Sequence, residues 1–153
     1  MSIKVKIDDI VEGLEFQMDD YSTLLNTKTS KVVSIANHYL GKAEDGEYDE
    51  AEDLDDEEKM AYDIVENWDD YEDLPSTFDI NEYEMIEDFC FTISSEAKKD
   101  RLLQVIQGKG AFRRFKDTSH DLGLREDWYT YRENCYKQIA IRFCEELDLE
   151  YME

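Results

Sequence analysis

Beyond Pro75, the only proline in the chain, apolar residues return every three or four positions through most of the remaining sequence, and this spacing restricts the C-terminal half to helices. The stretch "STFDINEYEMIEDFCFTI" begins with cap-forming residues and carries Ile80, Tyr83, Ile86, Phe89 and Ile93 on one helical stripe. "SSEAKKDRLLQVIQG" predicts a second helix that buries Leu102, Leu103, Val105 and Ile106, with Gly108 suited to the left-handed position past its end. Gly110 begins a third helix, "AFRRFKDTSHDL", after a turn short enough for an αα-hairpin or a helix-turn-helix. The longest helix comes last, with Leu124, Trp128, Tyr131, Cys135, Ile139, Phe143 and Leu147 as its core face.

The N-terminal half changes period. "IDDIVEGLEF" places Ile7, Ile10, Val11, Leu14 and, two further on, Phe16 at near-helical spacing, with Asp8 or Asp9 as the N-cap. "YSTLLNTKTSKVVSIAN" has β-favouring residues on both sides of a polar turn at 26–30, which predicts a hairpin with strands near 21–26 and 31–36. "EEKMAYDIVENW" sets Met60, Ile64 and Trp68 four apart, giving a further helix, followed by a short edge strand near Tyr71 to Leu74. The expected fold class is therefore α+β and mainly α. A small antiparallel hairpin or three-stranded sheet packs on a C-terminal bundle of about four helices.

A chain of 153 residues matches one ordinary domain, so residues 1–153 are expected to form a single domain. Residues 43–58, rich in carboxylates and poor in bulky aliphatics, are expected to form an acidic linker. Leu, Ile, Val and Phe together number 36, above the roughly one-fifth level below which a highly charged chain tends to be disordered. No apolar run reaches the ~18–20 residues of a membrane span, and residues 1–16 lack the pattern of a signal peptide, so a cytoplasmic location and no membrane partner are expected. Cys90, Cys135 and Cys144 are odd in number and sit among apolar residues, which fits reduced core thiols.

Charge carries the functional clue. The chain has a formal net charge of -23, and from Ala43 to Asp73 only Lys59 interrupts 17 acidic residues. From Lys98 to Lys116 the balance reverses, with seven basic residues against Asp100 alone. Within that segment "GKGAFRRFKDT" gathers Lys109, Arg113, Arg114 and Lys116 around Gly110. Cations in the first turn of a helix oppose its dipole by a few tenths to ~1 kcal/mol each, so a negative group is expected to compensate. Free N–H groups at that turn with two guanidinium forks form an anion- or partner-binding candidate: Lys109, Gly110, Arg113, Arg114 and Lys116. The structural reading of the same residues pairs Arg113 or Arg114 with carboxylates of 43–73 or of the last helix, and anchors Phe112 and Phe115 in the core.

Other chemistry finds less support. "GKGAFRRF" lacks the spacing of a P-loop, Gly46 has no EF-hand ligands ahead of it, and His38, His120 and the dispersed cysteines make no zinc spacing. "SHD" at 119–121 cannot act as a triad, because adjacent side chains on a helix point apart. No catalytic residue, metal or cofactor is called for. Nucleic acid remains a candidate partner but is disfavoured by the net charge, since phosphate neutralisation supplies most nonspecific affinity.

The order of these motifs resembles uncharacterised protein family 0158, a bacterial group. The resemblance rests on "YSTLLNTKTSKVV", on Leu74-Pro75 ahead of a helix with Met85 and Phe89, and above all on "GKGAFRRFKD" followed by "WYTYR". Ser30 stands where the family's turn usually has Gly, and Phe143 where Trp is common. The resemblance implies a similar fold and a bacterial cytosolic setting, and it assigns no catalytic residue. The reading best supported by the sequence is a non-enzymatic binding or regulatory module with a protein partner. The alternative is a phosphate-ligand or nucleic-acid module built on the Lys109 to Lys116 turn.

Overall fold

The computed structural model describes residues 4–46, 54–76 and 80–153. It divides the chain into two compact units, one of residues 1–79 with 139–153 and one of residues 80–138. The chain is mainly helical, with a three-stranded antiparallel sheet and a two-residue parallel pair.

The first unit is built on the hairpin of β2 (Tyr21–Asn26) and β3 (Lys31–Ala36), whose limits coincide with those expected from sequence. β1 (Val5–Lys6) precedes it and pairs in parallel with β5 (Tyr151–Met152), a ladder too short to leave a period in the sequence. The hairpin turn is held by Asn26, whose Oδ1 accepts from the N–H groups of Lys28 and Thr29 at 2.9 and 3.1 Å. Ser30 closes the turn at φ +60°, the left-handed conformation that glycine adopts most readily. A third strand, β4 (Tyr71–Asp73), adds to β2 as the expected edge strand, giving the order β3-β2-β4.

Leu24 and Leu25 are neighbours on β2 and both buried, at 2% and 0% exposure, so the sheet must be covered on both faces. One face meets α1 (Ile7–Glu15), where an added Cβ on Gly13 would lie 2.8 Å from Leu74 and 3.0 Å from Val32. On the other, Leu24 and Ile35 join Leu40 and Ala43 of α2 (Asn37–Glu44) and Ala61 and Ile64 of α3 (Asp56–Glu66) in one cluster. α1 starts on Lys6 without a side-chain cap, and Asp8 and Asp9 lie inside its first turn, which corrects the expected N-cap. There the carboxylates still favour the positive end of the dipole. α3 carries the capping box, with Asp55 accepting from Glu58 N–H at 2.8 Å and Glu58 accepting from Asp55 N–H at 3.3 Å. Its end passes through a single 3-10 turn, Trp68–Asp70, into β4.

The expected acidic linker narrows: α2 takes residues 43–44 and α3 begins at Asp56, while 47–53 lie outside the described residues. The packing expected from sequence also needs correction. The helices that cover the sheet are α1, α2 and α3, and the described residues contain seven helices in all, not a sheet against four.

The second unit holds α4 (Glu82–Thr92), α5 (Glu96–Val105), α6 (Ala111–Asp121) and the first part of α7 (Arg125–Glu146), whose end belongs to the first unit. Asn81 and Ser95 cap α4 and α5 by accepting from the N–H groups of Glu84 and Lys98. Ile80, Met85, Ile86, Phe89 and Cys90 are buried with Leu102, Ile106, Phe115 and Trp128, whereas Leu103 and Val105 are only half-buried. On α7 the buried set is Trp128, Tyr136, Ala140, Phe143 and Cys144, and Tyr131, Cys135 and Ile139 stand half-buried. The core line thus drifts around the helix, as 3.6 residues per turn requires over 22 residues. Tyr136 donates to Glu82 Oε1 at 2.7 Å, and Arg132 holds the same oxygen at 2.8 Å, tying α7 to α4.

Candidate anion- and partner-binding site

The site begins with the turn between α5 and α6. Gly108 and Gly110 adopt φ +76° and +77°, a region a Cβ disfavours, and they reverse the chain in a few residues. Gly110 is the N-cap of α6. α6 then buries Ala111, Phe115, Thr118 and Ser119, the i, i+4, i+7, i+8 stripe of an amphipathic helix, and exposes the rest.

Phe115 is fully buried and lies edge-on to Phe89 and Trp128, with ring centroids 6.1 and 5.0 Å apart. Phe112 is 46% exposed. Of the two phenylalanines expected to anchor the turn, then, only Phe115 does so. Phe112 falls one residue into the next quarter-turn of the helix, away from the buried stripe.

Arg114 is engaged, and its partner is neither of those foreseen. Its Nε donates to the carbonyl of Val105 at 2.8 Å, and its two terminal nitrogens donate to the carbonyls of Gln107 and Lys109 at 2.5 Å each. Tyr83 Oη donates to the neighbouring carbonyl of Ile106 at 3.1 Å. These carbonyls are at and just beyond the C-terminus of α5, where the macrodipole is negative and the last C=O groups lack helical partners. Arg114 is badly placed for its own helix and well placed for the preceding one. An added Cβ on Gly110 would sit 3.0 Å from the Arg114 guanidinium, so the glycine supplies space as well as φ.

Lys109, Arg113 and Lys116 are exposed, and among the described residues none of them forms an ion pair. Arg113 and Lys116 are i, i+3 neighbours on the surface of α6, with Phe112 i, i+4 to Lys116. The five expected site residues therefore separate into two roles. Gly110 and Arg114 build the turn, and Lys109, Arg113 and Lys116 form its cationic surface.

Sequence reasoning missed the continuation of this surface. Gly123, at φ +73°, ends α6 in a tight reversal in which Leu124 N–H reaches the Ser119 carbonyl at 2.8 Å. That reversal brings Arg125 back beside α6. A cavity of about 210 Å³ results, lined by Lys116, Ser119, His120, Arg125, Trp128 and Tyr129. The Arg125 guanidinium lies 5.5 Å from the centre of the Tyr129 ring. Ser119 Oγ is buried without a hydrogen-bond partner among the described residues, a state that costs about 1–3 kcal/mol. The available signal was Lys116 and His120 at i, i+4 with Arg125 beyond a glycine, but the closure depends on the turn.

The thiols are buried or half-buried and free. Burial pushes Cys90 up to about 11, and burial likewise raises Cys135 and Cys144, so these sulfurs stay protonated and poorly nucleophilic at neutral pH. Among the described residues no group of His, Cys, Asp and Glu is arranged to hold a metal ion, and no helix is long and apolar enough to cross a membrane.

Fold and turn define a mainly helical α+β protein with an internally clamped, cationic helix-to-helix turn. A family model matches residues 5–152, and the chain belongs to the Uncharacterised protein family (UPF0158). No curated protein and no solved structure matches it.

Proposed function

We propose that the protein is a non-enzymatic binding or regulatory module of the bacterial cytosol, acting as one domain, that docks an acidic surface of a partner protein through Lys109, Arg113 and Lys116. The observation that carries the reading is that, among the described residues, these three exposed cations form no ion pair although the chain is strongly acidic, and that they lie beside the half-exposed ring of Phe112. Aromatic and Arg side chains are the groups that protein interfaces favour. A nucleic acid is disfavoured as the occupant because its nonspecific affinity comes from phosphate neutralisation along its length, and three cations on a chain of net charge -23 supply little of it.

The test is affinity capture from a bacterial lysate with the wild-type chain and the Lys109→Glu/Arg113→Glu double variant, both shown to melt alike. An acidic partner that is released by salt and missing from the variant is expected. The same set of proteins captured by both chains would sink the reading.

A further inference from the structure

The cavity between α6 and the start of α7 is lined by two fixed cations, a histidine, a serine and two aromatic residues, and among the described residues no carboxylate lines it. In so acidic a chain this is a marked local exclusion; the 470 Å³ groove beside α1, by contrast, is lined by Asp9 and Glu12 together with Lys31. We propose that this cavity is a binding site for a phosphate group carried on a small molecule, with Lys116 and Arg125 supplying the counter-charge.

Four features of the lining select that chemistry. Two permanent positive charges match the charge of about -1.5 to -2 on a phosphomonoester at neutral pH, and the guanidinium of Arg125 presents its donors in a fork that fits two phosphate oxygens. His120 carries a ring N–H in either neutral tautomer, adding a third donor. Ser119, 2% exposed, has the only buried side-chain oxygen among the described residues that lacks a partner, and its residue lines this cavity. A buried hydroxyl is normally satisfied, and an anion entering here offers the acceptor it lacks. Size sets the upper limit: 210 Å³ is below the ~300–1,000 Å³ of pockets that enclose drug-sized ligands, so the phosphate and its nearest atoms fill it. The rest of the molecule then lies along Tyr129, whose ring is 50% exposed.

The site overlaps the docking surface proposed above at one residue and does not rest on that reading. Lys116 belongs to both, but His120 and Arg125 line only the cavity, and Lys109 and Arg113 only the surface. The variants separate them.

The experiment is a titration of the 15N-labelled chain with inorganic phosphate, with adenosine monophosphate, and with adenosine, following the amide signals of Ser119 and His120 and the Trp128 indole N–H. Phosphate and the monophosphate are expected to shift these signals and adenosine alone is not. A tighter monophosphate assigns the Tyr129 face to the organic moiety, while equal affinities make the phosphate group sufficient. Arg125→Met and Lys116→Met should each weaken binding at least about tenfold, as loss of one charge-assisted hydrogen bond implies, and Arg113→Gln should leave it unchanged. Ser119→Ala should weaken binding without lowering the urea midpoint, since the hydroxyl has no partner to lose in the free protein. No shift at about 20 mM phosphate, well above the ~1 mM Kd of a weak site, would overturn the proposal. So would binding that Arg125→Met leaves intact.

Discussion

Replacing Arg114 by Met tests whether this side chain is the C-terminal cap of α5. Three carbonyls lose a charged donor, but they do not lose equally. Gln107 and Lys109 are exposed, so water takes over their hydrogen bonds at small net cost, whereas Val105 is half-buried. One poorly replaced bond to a charged group is worth about 1.5–3 kcal/mol, and loss of a cation from the negative end of α5 adds about 0.3–1 kcal/mol. Removing the same cation from the positive end of α6 returns a few tenths. Because Arg114 is itself exposed, solvent screening holds the sum to the lower part of this range, and the expected loss is about 2 kcal/mol. The assay is urea denaturation followed by Trp128 fluorescence in a Trp68→Phe background, since Trp68 is 49% exposed and belongs to the other unit. At an m-value of about 1–3 kcal/mol/M the midpoint falls by roughly 1 M. Arg113→Met, one position away and without an ion pair among the described residues, should shift stability by no more than ~0.5 kcal/mol. If the two variants unfold within ~0.5 kcal/mol of each other, the capping argument is wrong.

Two further predictions concern glycine and pH. Gly41 in α2 has nothing within 4 Å of an added Cβ, so Gly41→Ala should stabilise by about 0.5–1 kcal/mol, while Gly13→Ala, whose methyl meets Leu74, Val32 and Thr23, should destabilise by about 1 kcal/mol; urea melts of both decide. Stability should also fall in alkali. The Cys90 thiol is raised by burial to about 11 from 9.0, so its contribution is fully present below pH 9 and is lost as pH rises through 11. The two-unit difference corresponds to roughly 2–3 kcal/mol. Tyr71, raised by burial and by its hydrogen bond to Asp63, acts in the same direction above pH 10. Cys90→Ala should flatten the decline between pH 9 and 11 in unfolding curves, and an unchanged slope would refute the assignment.

Much of the secondary structure was legible in the sequence because its signals are local. The hairpin limits followed from two β-favouring runs around a polar turn, and α4, α5, α6 and α7 from apolar spacing. α2 was not seen: eight residues containing Gly41 and only Leu40 and Ala43 to bury carry too short a stripe, and it is stabilised by packing on α3. The candidate site was legible as a cluster of cations but not as a division of labour. Nothing local distinguishes Arg113 from Arg114. Both are exposed residues of the same turn, and one position of helical rotation, about 100°, decides which of them reaches back to α5.

The sequence by itself therefore determined that the chain is mainly helical, that a glycine-flanked turn separates α5 from α6, and that positive charge is concentrated there against a net -23. Only the tertiary structure decided what that charge does. It sends Arg114 to the carbonyl end of α5, leaves Phe112 half-exposed, and brings Arg125 to Lys116, Ser119 and His120 around one cavity. The physical reason is that a helix terminus acts as a charge without being a charged residue: its partial negative charge comes from backbone carbonyls that every sequence contains, and it exists as a partner only once the fold has placed it.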